Sequence, residues 1–522
     1  MVCELIRVGW IGISEHGWIR SRAAWRALLL STAALCVWLA WAWGPGQEGF
    51  FDSAFYLDGA RHLADGEGYV SASTEPESPS YAPVIRWAPG FPAVTALLTR
   101  VLHVPALDAA SLALGLAYVG LVLGSLWLAR LLFGPSARLL TVSCALLVAC
   151  NRDVLATLDA LLSDLPFGAL AIMSTALAAR LARSVRWPWY AVLGFAALLA
   201  ALFAVRYAGA LYIPGLLAAL ALAMWLRRHP LTSILWNLGR VVVLLSGLIG
   251  LWIARNLRHG ELPFGARVAI HDDWQPHAER AARGFFAWWF TFETSAPWLI
   301  GISIGMGLVC AVLLMQRSAR LWEGLSFTLL PAFTYAVLMV ASASRVKFDP
   351  IQHPRFWVPV WPLTLIAVAC TVAHATSTLR RRLSSVVVIA LMFYGWHELT
   401  WLRGALAQAD QPRGLLSPAW QAAAAALPDP SECRLFTSDV RPLMLHRRLG
   451  PSSEIPQTLR AFDRAASQHA RVCLAVLSNK LRVSSTAERR RIEQNKVVAE
   501  LQQAGRLERV SSVAGVTLYR LR

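Results

Sequence analysis

The sequence predicts a mainly α-helical, polytopic membrane bundle of about eleven spans, followed by a small extracytoplasmic α/β domain at the C-terminus. Three observations carry this reading. Hydrophobic residues make up 56% of the 522 and charged residues only 15%, against about 25% charge in a soluble domain. Apolar runs close to the ~20 residues needed to cross the hydrocarbon core recur along most of the chain. Hydrophobicity then falls sharply after Leu402, where Pro412, Pro418, Pro428 and Pro430 punctuate the entry to a polar tail.

The spans fall at roughly 27–43, 108–131, 139–157, 164–183, 188–205, 207–226, 234–254, 296–316, 322–343, 356–378 and 384–402. Each must be helical, because lipid offers no partner to a free backbone group. Many of the 23 Trp sit near run ends, as in an interfacial aromatic belt. Basic clusters at Arg20/Arg22/Arg26, Arg130/Arg138, Arg180/Arg183/Arg186, Arg227/Arg228, Arg317/Arg320 and Arg380/Arg381/Arg382 fall on alternate connections, which should be cytoplasmic. The N-terminus is then inside, the tail outside, and the cytoplasmic (inner) membrane is the expected location. The first outer loop, 44–92, agrees: its stretch 44–90 holds seven acids against two bases, Arg61 and Arg86. The first 26 residues lack a signal-peptide pattern with a cleavage site, so the first span reads as retained.

A net charge of +18 invites a nucleic-acid reading. Residues 403–522, however, hold nineteen Lys/Arg and ten Asp/Glu, so half of the excess lies in the tail. The positive-inside clusters account for the rest, and anionic headgroups of membrane lipids are the partner this charge suits. No nucleic acid is expected.

Two units follow: a transmembrane domain over 1–402 and an outer domain over 403–522. In the tail, 434–438, 472–477 and 516–520 read as strands, and 441–449 and 487–503 as helices. No GxGxxG opens any of these helices. Of eight cysteines only Cys433 and Cys473 share the oxidising side, where a disulfide and two ordinary core thiols are both consistent with their strand positions. No CxxC or HExxH spacing indicates a zinc site.

Seven short motifs stand in order along the frame. They are Asp52-Ser-Ala-Phe-Tyr56 with Gly66-Glu-Gly-Tyr69, then Ala88-Pro-Gly-Phe-Pro92, Ser163-Asp-Leu-Pro-Phe167, Val205-Arg-Tyr-Ala-Gly209, Arg255-Asn256 with Gly260, and Arg355-Phe-Trp-Val-Pro359. In this order the chain resembles polytopic glycosyltransferases of the GT-C fold, in the family-39-like group of protein mannosyltransferases and lipid A aminoarabinose transferases. The likeness covers about 50–400. It implies transfer of a sugar from a polyprenyl-phosphate donor to an acceptor on the outer face, usually with inversion. The acceptor is a lipid, a glycan or a protein. A hydroxyl acceptor needs a carboxylate to take its proton, and the departing phosphate needs cations where its charge develops.

By this resemblance Asp52 is the candidate base, with Asp164 a second acid and Tyr56, Arg206, Arg255 and Arg355 binding substrate. Each has a plainer reading. Asp52 suits the N-cap of a helix over 53–64, Asp164 suits a helix cap, and Arg206, the single charge within 189–226, suits a snorkelling interface residue. Asp58, on another face of Asp52's helix, reads as solvated or supporting, and Asp153 and Asp159 compete with Asp164. Leu165 also stands between Asp164 and Pro166, where the family often has Ser-Glu-Pro. In 261–295, His271, Asp272, Asp273, His277 and Glu293 could join Glu75 or Glu77 around a divalent ion, although a solvated loop explains them as well. The rival function is a transporter or lipid flippase, which usually shows paired repeats with broken helices. The sequence shows no such symmetry. A third reading is a receptor or assembly subunit recruited through its tail.

Overall fold

A computed structural model describes residues 22–374, apart from 45, 47, 74–80, 135–136, 261–262, 265–271, 288–317 and 347–352, together with most of 413–522. Its frame is a bundle of apolar helices with a sheet domain at one end. In chain order these are α1 (Arg22–Trp43), α2 (Phe51–Asp65), α3 (Gly90–Leu102), α4 (Ala106–Phe133), α5 (Arg138–Cys150), α6 (Arg152–Asp159), α7 (Asp164–Leu181), α8 (Trp189–Val205), α9 (Gly209–Leu226), α10 (Leu231–His259), α11 (Trp274–Ala287), α12 (Ala319–Ala343) and α13 (Trp361–His374).

Five of them, α4, α7, α9, α10 and α12, are long and apolar enough to cross a membrane. The chain is a multi-pass membrane protein. Two differences from the sequence reading have local causes. The stretch expected as one span at 139–157 is broken by 47° between α5 and α6, because the Asn151 side chain accepts from the Asp153 and Val154 amides and starts a new helix. Helix α3 was not foreseen: it is apolar but only 13 residues long, too short for the span criterion. The expected spans 296–316 and 384–402 lie outside the described residues.

Long α10 shows how such a helix is shared between protein and lipid. Ile234, Asn237, Val241 and Leu245 recur at helical spacing and face the bundle, whereas Leu235, Trp236, Val243 and Leu251 are exposed. Toward water that face would be costly, and toward lipid it is at rest. Glycine permits the closest crossings. A Cβ at Gly168 of α7 would lie 2.4 Å from Val358 Cγ1, and one at Gly90 would lie 2.7 Å from the Ala204–Val205 backbone. Both contacts bring chain segments to the level where Asp164 and Arg206 sit.

Beyond the bundle lies a five-stranded sheet built from β5 (Arg434–Thr437), β6 (Ser452–Glu454), β7 (Val472–Leu477), β8 (Leu507–Val513) and β9 (Val516–Leu521) in the order β6-β5-β7-β9-β8. The first three strands are parallel and the last two pair antiparallel. Strand, helix and final strand fall where the sequence placed them at 434, 487 and 516. Strands β6 and β8 and the helix over Leu459–Ala466 were not foreseen, and most of 441–449 lies outside the described residues. Alternation along β7 gives the sheet two buried faces. Val472 and Leu474 join Phe462, Val497 and Leu501 of the covering helices, while Cys473 and Ala475 turn to the cluster continuous with the bundle. Cys433 and Cys473 form a disulfide, which resolves the alternative left open above.

The sheet domain is seated on the first loop. Strand β1 (Glu48–Gly49) pairs in parallel with β4 (Arg413–Gly414). The Ser452 amide donates to the Ala72 carbonyl at 2.7 Å, beside a two-residue hairpin of β2 (Val70–Ser71) and β3 (Ala82–Pro83).

Candidate active site

Helix α2 opens the site. Its N-cap is Phe50, whose amide donates to Ser53 Oγ at 2.9 Å, and the Ser53 hydroxyl reaches on to the Leu161 carbonyl at 2.7 Å. Asp52 is therefore not the cap. It occupies the second helical position, where the amide dipoles favour a negative charge. Its Oδ1 instead accepts from Trp87 Nε1 at 3.2 Å, and Trp87 stacks on Phe55 with ring centroids 3.8 Å apart. The carboxylate is half-buried and receives no other hydrogen bond among the described residues.

One turn on, the Tyr56 hydroxyl lies 3.0 Å from Ser163 Oγ. Burial, with Asp52 next in weight, pushes the Tyr56 phenol well above its ordinary range, so it stays protonated and can donate. Ser163 precedes α7, whose first residue is Asp164. Pro166 sits within that helix's first turn, where no intrahelical amide bond is lost, so the inserted Leu165 leaves the turn intact.

Asp164 is not a side-chain cap either. Its Oδ1 lies 2.5 Å from Arg206 Nη1. Arg206 closes α8 in an extended conformation at the turn into α9. The lone charge of 189–226 thus stands at the turn between two expected spans, and its direct ion partner is Asp164. The pair is removed from solvent, with side-chain exposures of 2% for Asp164 and 18% for Arg206. Asp164 Oδ2 is buried and has no hydrogen-bond partner among the described residues. A buried acceptor without a partner is costly, and here it stands beside a fixed cation.

Arg355 joins this group through an aromatic ring. The guanidinium carbons of Arg206 and Arg355 each lie 5.1 Å from the Phe356 centroid. Tyr335 holds that segment by donating to the Phe356 carbonyl at 3.1 Å. Asp52, Tyr56, Asp164, Arg206 and Arg355 thus gather at the sheet-bearing end of the bundle.

Arg255 does different work. It donates to the Val84 carbonyl at 2.7 Å, to the Tyr69 carbonyl at 2.9 Å and to Asn256 Oδ1 at 3.0 Å, and packs 4.8 Å from the Trp252 ring. Nearby, Tyr207 donates to the Ile85 carbonyl and accepts from Trp252 and Asn256. These contacts tie the first loop to α10.

Asp58 is supporting and not solvated. It is fully buried, with Oδ2 accepting from Ser71 Oγ at 2.9 Å and from the Ala72 amide at 2.7 Å. Its Oδ1 faces His62 Nε2 at 3.6 Å, and the other imidazole nitrogen lies 2.5 Å from Glu67 Oε2. Neither facing atom has a hydrogen-bond partner among the described residues. Burial accordingly pushes the Asp58 carboxyl above its ordinary range.

Among the rival acids, Asp153 lies 3.7 Å from Arg152, and Asp159 is buried at the end of α6. The metal expectation is largely out of view, since Glu75, Glu77, His271 and Glu293 lie outside the described residues. Asp272 Oδ2 is 3.5 Å from His277 Nε2, and no group of three potential ligands occurs among the described residues. Ser163, Trp87, Phe356 and Tyr335 were not singled out by sequence. The first three adjoin or fall within the quoted motifs, so position beside Asp164, Ala88 and Arg355 was the available signal.

Comparison with family models gives no match, and no curated protein aligns with the chain. Solved structures do. The chain has the GT-C fold of membrane glycosyltransferases. It resembles ArnT from Cupriavidus metallidurans in the apo state with a TM-score of 0.57 at 13% identity, over 96% of this chain and 98% of that one. The same protein bound to undecaprenyl phosphate gives 0.56 at 11% identity, with the same coverage. The apo oligosaccharyltransferase of Archaeoglobus fulgidus gives 0.52 at 11% identity, over 88% of this chain and 70% of that one.

Proposed function

We propose that the protein is a glycosyltransferase that moves a sugar from a polyprenyl-phosphate donor to an acceptor at the outer face of the cytoplasmic membrane, with the N-terminus inside and the sheet domain outside. The observation that carries the reading is the grouping of Asp52 with the buried Asp164–Arg206 pair and Arg355 at the sheet-bearing end of the bundle. The shared fold supports it, because ArnT has been solved with undecaprenyl phosphate.

In this reading an acceptor hydroxyl attacks the anomeric carbon as the carbon–oxygen bond to phosphate breaks. Its proton passes to the Asp52 carboxylate, which Trp87 orients. The electron pair leaves with the polyprenyl phosphate. Arg206 and Arg355 stabilise the charge that develops there, and the Tyr56 hydroxyl supplies a neutral donor beside them. The unpartnered Asp164 Oδ2 offers an acceptor for a donor hydroxyl.

The transporter reading would be favoured by paired broken helices. The α5–α6 break is the only bent span among the described residues. Native mass spectrometry of the detergent-solubilised protein with undecaprenyl phosphate tests the proposal, with the unphosphorylated alcohol as control. Phosphate-dependent binding that weakens in Arg355→Gln is expected, and equal retention of phosphate and alcohol would overturn the reading.

A further inference from the structure

Helix α2 carries the candidate base on one face and a second set of polar side chains on another, with Asp58 and His62 fully buried and Arg61 half-buried. Asp52 and Tyr56 turn to the active site. Asp58, Arg61 and His62 turn to the first-loop hairpin and the sheet domain. Arg61 Nη1 donates to the Met444 carbonyl in the sheet domain, and burial pulls its guanidinium below the usual arginine range, as expected for a cation held away from water. Asp58 grips the Ala72 amide. The Ala72 carbonyl accepts in turn from Ser452 of the edge strand β6, and Tyr81 reaches the Leu449 carbonyl at 3.4 Å.

These contacts close a ring. From Asp58 the chain of bonds runs to Ser71 and Ala72, across the β2–β3 ladder to Pro83, and along the next few residues to Trp87. Trp87 then returns to α2 by donating to Asp52. Arg255 braces the middle by holding Tyr69 and Val84 together. Both ends of the ring lie on one helix, six residues apart, so a shift of the hairpin relative to α2 must move Trp87 relative to Asp52. The sheet domain is attached to the ring at Arg61 and at Ala72.

We propose that Asp58 and Arg61 are positioning residues that couple the seating of the sheet domain to the placement of Asp52 and Tyr56. The coupling is mechanical and passes through hydrogen bonds that a rigid helix and a short hairpin hold in one arrangement. Its catalytic consequence rests on the reading of Asp52 as the base, whereas the coupling itself can be followed without any turnover.

Hydrogen exchange of the full-length, detergent-solubilised protein provides the test. Arg61→Ala should accelerate exchange at 444–454 and, in step, at 51–57 and 84–88, by roughly tenfold, as expected when a hydrogen bond to a charged group is lost. Helices α4 and α7 should be unchanged, and Arg61→Lys should restore part of the protection. Ser452→Pro is the second variant. It removes the amide that binds Ala72 from an edge strand, where proline is tolerated, and leaves every α2 side chain in place. Faster exchange at 51–57 and 84–88 in both variants supports the proposal. Acceleration confined to 444–454 in either variant overturns it. With an active preparation, both variants should lower kcat and leave the KM for donor unchanged. An inactive wild type would count against the glycosyltransferase reading alone, because the exchange result stands without it.

Discussion

Asp164 and Arg206 form an ion pair 2.5 Å long where α7 begins and α8 ends, with the Asp164 carboxylate buried and one of its oxygens without a hydrogen-bond partner among the described residues. The start of α7 and the end of α8 are pinned there by a charge pair that neither could bury alone. Breaking such a pair from one side leaves the other charge stranded, at a cost of about 3–5 kcal/mol. Arg206→Ala should therefore lower the melting temperature strongly in detergent. Arg206→Met combined with Asp164→Leu should recover most of the loss while abolishing transfer. A double variant as unstable as the single one would show that the segment needs more than charge balance.

Asp52 is separable from folding. Because Phe50 is the cap and Ser53 satisfies its amide, Asp52→Asn removes no capping bond, and the amide oxygen can still accept from Trp87. The variant should match wild type in melting temperature and lose transfer by at least ~100-fold, the scale of a missing general base. Measured turnover near wild type would leave Asp52 as a favourable charge at a helix start and nothing more.

Asp58 gives a pH dependence whose sign is fixed. Burial raises its folded pKa above the unfolded value of about 3.9. The protonated form is thus the one the fold prefers, and its contribution is full below that unfolded value and lost as pH rises through the folded one. Asp58→Asn can keep the Ser71 and Ala72 bonds and donate to His62. It should flatten this decline, so the gain in melting temperature over wild type grows with pH. A difference that is constant across pH would mean that Asp58 does not titrate in the fold.

The Cys433–Cys473 bridge closes a loop of 40 residues around the parallel strands. Replacing both cysteines with serine should destabilise the sheet domain by roughly 2–4 kcal/mol through the restored freedom of the unfolded chain. Limited proteolysis of that domain reads the effect, and unchanged cleavage in the double variant would contradict it.

How far the sequence carried varies from residue to residue, for physical reasons. Hydropathy located α4, α7, α9, α10 and α12 because span length is set by the bilayer. It could not show that Asn151 restarts the helix after α5, since a break of one residue leaves average hydropathy untouched. Arg206 was conspicuous as a lone charge between two expected spans. Its partner was hidden, because contact between α7 and the α8–α9 turn depends on helix packing. For Asp58 the solvated alternative failed, because a carboxylate on a polar helix face looks solvated until the hairpin covers it. Strand β6 escaped notice because Ser452 and Ser453 carry no apolar alternation, though both are buried.

The most direct measurement is mass spectrometry of the polyprenyl-phosphate-linked sugars in the membranes of cells lacking the protein, complemented with wild type or with Asp52→Asn. If Asp52 is the base of a lipid-linked glycosyl transfer, one such sugar should accumulate in the deletion, disappear with wild type and persist with the Asn variant at normal protein levels. An unchanged pool in the deletion, or full clearance by Asp52→Asn, would contradict that chemistry.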